Sequence, residues 1–214
     1  HVFIEKPAFY FNDEFLHIYN LAKRKNLILH IDYIHTYNDN LLYFHKMLKY
    51  INIKKPHKVN LIIGDSKLSK TNISPLYDWG SHALSIVAYI FKIRDISKLN
   101  YQIKFKGNKN KFNTILTFSN KNCLFKIKFG NNLTKKTTLF SIKQDNNYLK
   151  YLDTVLKYRI NGKSFTKNYQ KIDPLSKSID NLVKSISKKL IRKDFKFSKI
   201  IYVLEKLKWK KFLY

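Results

Sequence analysis

Short apolar runs and helix-period stripes alternate along the first part of the chain. The run "HVFI" ends at an acid, a lysine and Pro7, and because proline lacks the donor of a central strand, it predicts a short buried strand. "NDEFLHIYNLAKRKN" places apolar residues at helical spacing, with acids in front and bases behind as the helix dipole favours. "LILHIDYI" (27–34) is β-rich and too short for another helix. The order predicts a parallel βαβ unit, with Glu5, Lys6 and "DYIHTY" at the carboxyl ends of its strands, where ligands bind.

Two further helices with a strand between them are predicted next. "NDNLLYFHKMLKYI" carries an apolar stripe behind a cap at Asn38 or Asn40, and strand character resumes over 58–64. In "SPLYDWGSHALSIVAYIF", Ser74 as N-cap and Pro75 at the first helical position are a strong start signal. The predicted core face of this helix consists of its apolar residues at spacings of three and four: Leu76, Trp79, Ala83, Ile86, Val87 and Ile90.

The pattern changes from about Tyr101 onward. Four runs, "YQIKFKG", "FNTILTFS", "CLFKIKFG" and "TTLFSIK", alternate apolar with polar residues between turn signals, which predicts an antiparallel meander with one wet and one buried face. The chain finishes in helices, the first capped by Asp173 with Pro174 behind it. Its predicted core stripe is Leu175, Ile179, Leu182, Val183 and Ile186. The last, "FSKIIYVLEKLKWKKF", is expected to dock on the protein body rather than on a membrane surface.

Charge is the outstanding feature of the composition. The 214 residues include 42 Lys and Arg against 14 Asp and Glu, a net charge of +28, which is typical of proteins that meet phosphate backbones or anionic membranes. Only four of the basic residues are arginine, however, and Lys, Asn, Ile, Tyr and Phe, whose codons are A/T-rich, are abundant together. Codon bias therefore accounts for the charge, and nucleic acid is not expected as the main partner. An anionic substrate is compatible with either origin.

Several classes of protein are disfavoured. No run of about 18 residues is free of charge, and the N-terminus lacks the pattern of a signal peptide, so the prediction is a cytoplasmic protein with no membrane contact. A single cysteine, Cys123, excludes an internal disulfide framework and a thiolate metal cage. We expect it to be buried in a strand. No HExxH or Cys/His spacing predicts a metal site.

Asp78 and His82 stand four residues apart on the predicted helix that begins at Pro75. Side chains at this spacing project side by side, so both can reach one small polar object, or the carboxylate can orient the imidazole. The alternative is a surface pair that contributes about 0.2–0.5 kcal/mol. Spacing alone favours the surface pair.

The sequence context of Asp78 and His82 favours a functional role over a surface pair. "EKP" at the end of a strand, followed by a helix, a second strand ending in "DYIHTY", and a later helix with D-x-G-x-H, resembles the glucose-fructose oxidoreductase, inositol dehydrogenase and rhizopine catabolism (Gfo/Idh/MocA) family. The matching residues are Glu5, Lys6 and Pro7, and Asp78 with His82. "DPLSKSIDNLVKSI" also resembles the late helix of that family.

The resemblance implies an α/β (α+β) fold in two parts. Residues 1–34 would be the C-terminal remnant of an NAD(P)-binding Rossmann domain, and 35–214 a substrate and oligomerisation domain with helices and a large, mostly antiparallel sheet. The sheet would carry substrate on one face and a subunit contact, giving a homo-oligomer, on the other. The chain has no G-x-G-x-x-G for the cofactor pyrophosphate, so we expect a nucleotide-binding half upstream of His1.

The same resemblance implies an NAD- or NADP-dependent dehydrogenase acting on a hydroxyl of a sugar, a polyol or a nucleotide sugar, with a role in surface-polysaccharide or amino-sugar biosynthesis. Its catalytic residues would be Lys6, His82 and Asp78. Cofactor would contact Glu5, Lys6 and Pro7, whose peptide bond is often cis in the family. Substrate would contact Tyr33, His35, Tyr37 and Trp79.

Three choices stay open from the sequence. Either Lys6 or His82 can take the hydroxyl proton, since burial lowers a lysine pKa and His82 has a suitable unperturbed pKa. His35 is a substrate contact or a packing histidine. The alternative function is a catalytically inactive basic fragment that serves as a nucleic-acid-binding or protein-interaction module.

Overall fold

Two β-sheets and five α-helices make up the part of the chain that the structure, a computed structural model, describes. This part comprises residues 1–51, 58–67, 73–93, 95–168, 173–188 and 198–211. The elements are β1 Val2–Glu5, α1 Asn12–Arg24, β2 Leu29–Asp32, α2 Asp39–Tyr50, β3 Lys58–Gly64, α3 Pro75–Ile90, β4 Gln102–Gly107, β5 Phe112–Asn120, β6 Cys123–Gly130, β7 Thr137–Gln144, β8 Asn147–Leu152, β9 Val155–Ile160, β10 Lys163–Asn168, α4 Pro174–Ser187 and α5 Ser198–Lys211.

The first sheet is the predicted parallel pair. β1 and β2 run side by side in register, with Glu5 opposite Asp32 at their carboxyl ends, and α1 connects them. The Lys6–Pro7 peptide bond that follows β1 is cis. β2 ends earlier than the apolar pattern indicated, because Ile34–Tyr37 turns into a short 3₁₀ segment. The βαβ prediction is confirmed, but β1 is not the buried strand that was predicted, since Val2 is exposed and Phe3 and Ile4 are half-buried. The edge where the two strands end is the edge that carries Lys6.

The second sheet has eight strands in the order β10-β9-β8-β7-β3-β6-β5-β4. It is mostly antiparallel, as predicted, but it is not the simple meander that the alternation indicated. β3 lies between β6 and β7, parallel to the first and antiparallel to the second. Val59, Leu61 and Ile63 of β3 are completely buried, so this strand gains most by taking the centre of the sheet.

Helices cover one face of this sheet. α3 packs on β3, β5 and β6, and α2 packs on β8. The rings of Phe44 and Phe140 stack 4.7 Å apart where α2 meets the sheet. A Cβ on Gly80 would stand 2.6 Å from Leu204 Cδ2 and 2.9 Å from Phe129 Cε2. The glycine of the D-x-G-x-H motif therefore lets α3 pass closely between α5 and β6.

The opposite face is open, and the strand register orders its side chains. A central, half-buried row crosses six strands and is apolar except at Lys128: Ile115, Lys128, Ile62, Leu139, Leu152 and Val155. Lysines occupy the rows around it, and two pairs lie directly opposite each other, Lys58 with Lys143 and Lys150 with Lys157. The predicted wet face is confirmed. Directly opposed like charges disfavour pairing, so this surface is held together by its apolar row and its backbone hydrogen bonds.

The C-terminal helices confirm two predictions and correct a third. Asp173 caps α4 by accepting from the Leu175 N–H at 3.1 Å. α5 docks on α3 and α1 through a face of buried residues: Ile200, Ile201, Val203, Leu204 and Leu207. The apolar stripe of α4, however, is not core, because Leu175, Ile179 and Val183 are exposed and the helix buries Ser178 and Ser185 instead. Phe197 and Phe212, which belong to the predicted last helix, lie outside the described residues.

Of two predictions about the burial of single residues, one is confirmed and one is corrected. Cys123 is buried in β6, as predicted. Trp79 was expected in the core face of α3, but it is only half-buried, and Tyr77 and Leu84 take core positions on that helix. Among the described helices, none is long and apolar enough to cross a membrane.

Candidate active site

The E-K-P and D-x-G-x-H motifs, which are far apart in sequence, meet in the folded chain. Lys6 directly follows β1, and its ammonium donates to the Asp78 carboxylate and, at 3.3 Å, to the Asp78 backbone carbonyl. The two side chains are 16% and 21% exposed. An ion pair therefore joins residues 72 positions apart, and it ties the edge of the first sheet to the first turn of α3.

His82 lies one turn further along α3 and is buried. The His35 ring, from the turn after β2, stands edge-on to it with the ring centroids 4.5 Å apart, and the Trp79 ring lies at 6.1 Å. The Nδ1 atoms of both imidazoles have no hydrogen-bond partner among the described residues. Buried polar atoms are rarely left without a partner, so the two rings have bonding capacity to spare.

The electrostatics keep both imidazoles neutral. The pKa of His82 is well below its usual value because of burial first, and then because of His35 and the charges of Lys6 and Lys136. Burial, followed by the charges of Lys6 and Lys136, lowers the pKa of His35 to about 4. At neutral pH the cluster thus offers one ammonium, one carboxylate and two uncharged rings. Such a set can hold a hydroxyl and stabilise negative charge that develops on its oxygen.

Spacing left two partners open for Asp78, the imidazole of His82 or a small polar group. In the structure its carboxylate pairs with Lys6. The ammonium is a stronger partner than a neutral ring, because a charge-assisted hydrogen bond is about twice as strong as a neutral one. Asp78 therefore positions Lys6, and His82 stands beside the pair.

Asp32, His30 and Ser178 form a second polar cluster, which lies in the interior next to the cluster around Lys6. The Ser178 hydroxyl of α4 donates to Asp32 Oδ1 at 2.6 Å and lies 3.0 Å from His30 Nε2. Asp32 is completely buried, and its other oxygen has no partner in the described part of the chain. Burial raises the pKa of Asp32 to about 6; Glu5 and Asp173 add to the rise, and the bond from Ser178 opposes it.

The other predicted contact residues surround these clusters. Glu5 is exposed opposite Asp32, and Pro7 is half-buried. Tyr33 is buried, and its carbonyl accepts from the backbone N–H and the hydroxyl of Thr36. The Tyr37 ring lies 6.0 Å from that of His30. Tyr37 therefore adjoins the Asp32 cluster.

Sequence reasoning missed three members of this region. His30 and Ser178 had no visible partner, and the only signal was an acid, Asp32, inside an apolar strand. Lys136, whose charge acts on both imidazoles, is one lysine among many, and nothing in the pattern distinguishes it. No group of three His, Cys, Asp or Glu side chains suited to a metal ion occurs in the described ranges.

No protein-family model and no curated protein sequence matches the chain. Solved structures do match in fold. KijD10, a 3-ketoreductase from Actinomadura kijaniata in complex with NADP, has a TM-score of 0.76 at 12% identity, over 94% of this chain and 66% of that one. The dehydrogenase MviM from Clostridium difficile gives 0.77 at 16%, over 98% and 71%. UDP-N-acetylglucosamine 3-dehydrogenase GnnA from Acidithiobacillus ferrooxidans gives 0.77 at 13%, over 95% and 68%.

The chain therefore has the fold of these three enzymes and spans about two thirds of their length. That fold is the one of the Gfo/Idh/MocA-type NAD(P) dehydrogenases, with the eight-stranded sheet as its C-terminal part. The fold class predicted from the E-K-P and D-x-G-x-H motifs is confirmed. The division into residues 1–34 and 35–214 stays a prediction.

Proposed function

We propose that the chain belongs to an NAD(P)-dependent oxidoreductase that interconverts a hydroxyl and a ketone on a sugar, a polyol or a nucleotide sugar. The observation that carries the proposal is the ion pair between Lys6 and Asp78 beside two neutral imidazoles, those of the half-buried His35 and the buried His82. Support comes from the proteins of the same fold. KijD10 has been solved with TDP-benzene and NADP, and GnnA is a UDP-N-acetylglucosamine 3-dehydrogenase.

The residues present fit the reacting end of a nicotinamide cofactor. Glu5–Pro7 lie at the carboxyl ends of two parallel strands, which is where nucleotides bind in open α/β sheets. The two unpaired Nδ1 atoms of His35 and His82 mark a place for a polar ligand beside Lys6. When bound, the nicotinamide exchanges a hydride with the substrate carbon. The chain itself has to hold the substrate oxygen and handle its proton.

The electrostatics divide these tasks between two residues. The Lys6 ammonium donates to the Asp78 carboxylate, and it can donate a proton to the oxygen of a ketone under reduction and offset the negative charge that forms there. His82 is a weak base because burial and neighbouring cations lower its pKa. We therefore assign proton transfer to Lys6. To His82, which stays neutral through the reaction, we assign a hydrogen bond with the substrate hydroxyl.

The direct test is cofactor binding and turnover by the protein as it occurs in the cell. We expect NADH or NADPH fluorescence to change on binding, and the cofactor to be oxidised when keto forms of sugars or nucleotide sugars are supplied. Failure of both coenzymes to bind the intact protein would refute the proposal. Tight binding of nucleic acid in place of cofactor would favour the basic-module alternative.

We further infer that two copies associate through the open face of the eight-stranded sheet. The apolar row through Ile62 and Leu139 supplies area to bury, whereas the opposed lysines, such as Lys58 with Lys143, repel. Because salt shortens the Debye length from about 10 Å at 0.1 M to about 3 Å at 1 M, the dimer should strengthen as salt rises.

Sedimentation at low and high salt measures this effect. A Leu139→Lys variant should be monomeric at both concentrations, and Asn110→Lys, which adds the same charge in an exposed turn, should behave like the parent. A parent protein that stays monomeric in high salt would contradict the inference.

A further inference from the structure

We propose that the outer edge of β4 binds an acidic segment of a partner protein, which joins the eight-stranded sheet as a further, extended strand. β4 (Gln102–Gly107) stands at one end of that sheet, and β5 is its one neighbour among the described strands. None of the candidate active-site residues belongs to this edge, so the inference goes beyond the proposed function and can be tested apart from it.

The backbone of β4 turns hydrogen-bonding groups toward this outer edge. Gly107 pairs in register with Phe112 of β5. The Phe112 N–H, however, donates to the Asn131 side chain at 3.0 Å, and its carbonyl accepts from the Asn131 N–H at 3.2 Å. Gly107 and Phe112 are therefore a non-bonded pair, and such pairs alternate with bonded ones in an antiparallel ladder. The N–H and C=O groups of Ile103, Phe105 and Gly107 accordingly point away from β5, where an added strand would meet them.

A groove of about 540 Å³ follows this edge and is lined by residues 103–109 and Phe112. The rings of Phe105 and Phe112 stand 6.2 Å apart. Ile103 pairs with the buried Leu116 of β5, on the face of the sheet that the helices cover, and both Ile103 and Phe105 are half-buried. Because every second residue of a strand points to the same face, the groove can take apolar side chains from alternate positions of an added strand.

The charges at this edge are positive. Lys104 and Lys106 are exposed on the opposite face of β4, and Lys109 in the following turn also lines the groove. The sequence between Asp95 and Asp145, which forms β4 to β7, contains no acidic residue. Neither Lys104 nor Lys106 forms an ion pair within the described ranges. An acidic segment would therefore bring charges that complement this edge.

The same lysines exclude a second copy of β4 as the occupant. Two β4 strands paired at this edge would bring their lysines together, and opposed like charges disfavour pairing. Nucleic acid would complement the charges, but an extended polypeptide also matches the outward N–H and C=O groups residue by residue. The partner strand would carry Asp or Glu opposite Lys104 and Lys106, and apolar residues opposite Ile103 and Phe105.

Binding of a capped, fluorescent peptide of alternating Glu and Val to the intact protein, followed by anisotropy, tests the assignment. Lys106→Glu should raise the Kd about tenfold. Lys163→Glu is the matched control and should bind like the parent, because Lys163 is an exposed lysine on β10, the strand at the other end of the sheet. A peptide of alternating Lys and Val should not bind, and the affinity of the acidic peptide should fall as salt rises. Melting temperatures check that both variants fold.

Amide hydrogen exchange distinguishes an added strand from electrostatic attraction alone. The acidic peptide should slow exchange at Ile103, Phe105 and Gly107, whose N–H groups point outward, and leave Lys104 and Lys106, which bond to β5, unchanged. Absence of binding, equal affinity of the Lys106→Glu and Lys163→Glu variants, or protection without this alternation would overturn the inference. Tighter binding of a single-stranded oligonucleotide than of the peptide would overturn it in favour of nucleic acid.

Discussion

A Lys6→Met variant is expected to lose turnover by a factor of about 10²–10⁴, the usual contribution of a residue that transfers a proton and stabilises charge. Methionine keeps the unbranched stem and removes only the ammonium that contacts Asp78. The variant leaves the Asp78 carboxylate without its partner in a pair that is mostly buried, so some loss of stability is expected beside the loss of turnover.

The measurements are kcat and kcat/KM at saturating cofactor, together with the melting temperature. Lys177→Met is the matched control, since Lys177 also forms an ion pair, with Asp39, but on the surface of α4. It should lower neither activity nor cofactor affinity. A Lys6→Met enzyme that retains full turnover would remove Lys6 from the reaction.

The kcat of an Asp78→Asn variant should fall between those of the parent and of Lys6→Met. The amide oxygen can still accept from Lys6, but it no longer supplies a compensating charge, so we expect a smaller loss of kcat and an unchanged KM for cofactor. A variant that instead lost cofactor binding would indicate that Asp78 acts on the cofactor.

The features predicted from sequence were those that neighbouring residues determine. Ser74 with Pro75 and Asp173 with Pro174 mark helix starts because the cap and the proline act within one turn. The position of β3 depends on partners more than 50 residues away in sequence, and alternation along a strand carries no information about which strand lies beside it. For the same reason the meander prediction holds for β4, β5 and β6 but fails between β6 and β7, where β3 lies.

The exposed stripe of α4 is a second instructive error. An apolar row at helical spacing predicts burial only if another surface is available to cover it. Here α4 approaches β2 through Ser178, whose hydroxyl bonds Asp32 and lies beside His30. That polar contact orients the helix and leaves Ile179 and Val183 outward.

In the candidate site, too, contacts between distant residues were harder to predict than features set by neighbouring residues. The resemblance predicted that Lys6, Asp78 and His82 belong together, and the structure brings them together. It did not predict that Asp78 would pair with Lys6, because the four-residue spacing to His82 is visible in the sequence and the long-range partner is not.

Ionisation of the buried Asp32 carboxyl group should make the stability of the protein depend strongly on pH. Burial first, and then Glu5 and Asp173, raise its pKa from 3.8 to about 6 in the folded protein. Between these values the folded state binds more protons than the unfolded state, so this group lowers stability as pH rises from about 4 to about 6. Two pKa units correspond to about 3 kcal/mol, and above pH 6 the whole cost applies.

An Asp32→Asn variant should therefore gain stability relative to the parent as pH rises. The amide oxygen still accepts from the Ser178 hydroxyl, and the ionisation is gone. Denaturant unfolding at pH 3.5 and pH 7.5 should show the difference between variant and parent change by about 3 kcal/mol in favour of the variant. Other groups that titrate in this range, including His35, are present in both proteins and cancel in the difference. Asp153→Asn, which removes a carboxylate at an exposed turn where it accepts from the Thr138 N–H, controls for the loss of a carboxylate as such. A difference that stays constant with pH for Asp32→Asn would mean that the Asp32 carboxyl is ionised at no cost, and that the cluster with Ser178 and His30 is more open to water than its burial indicates.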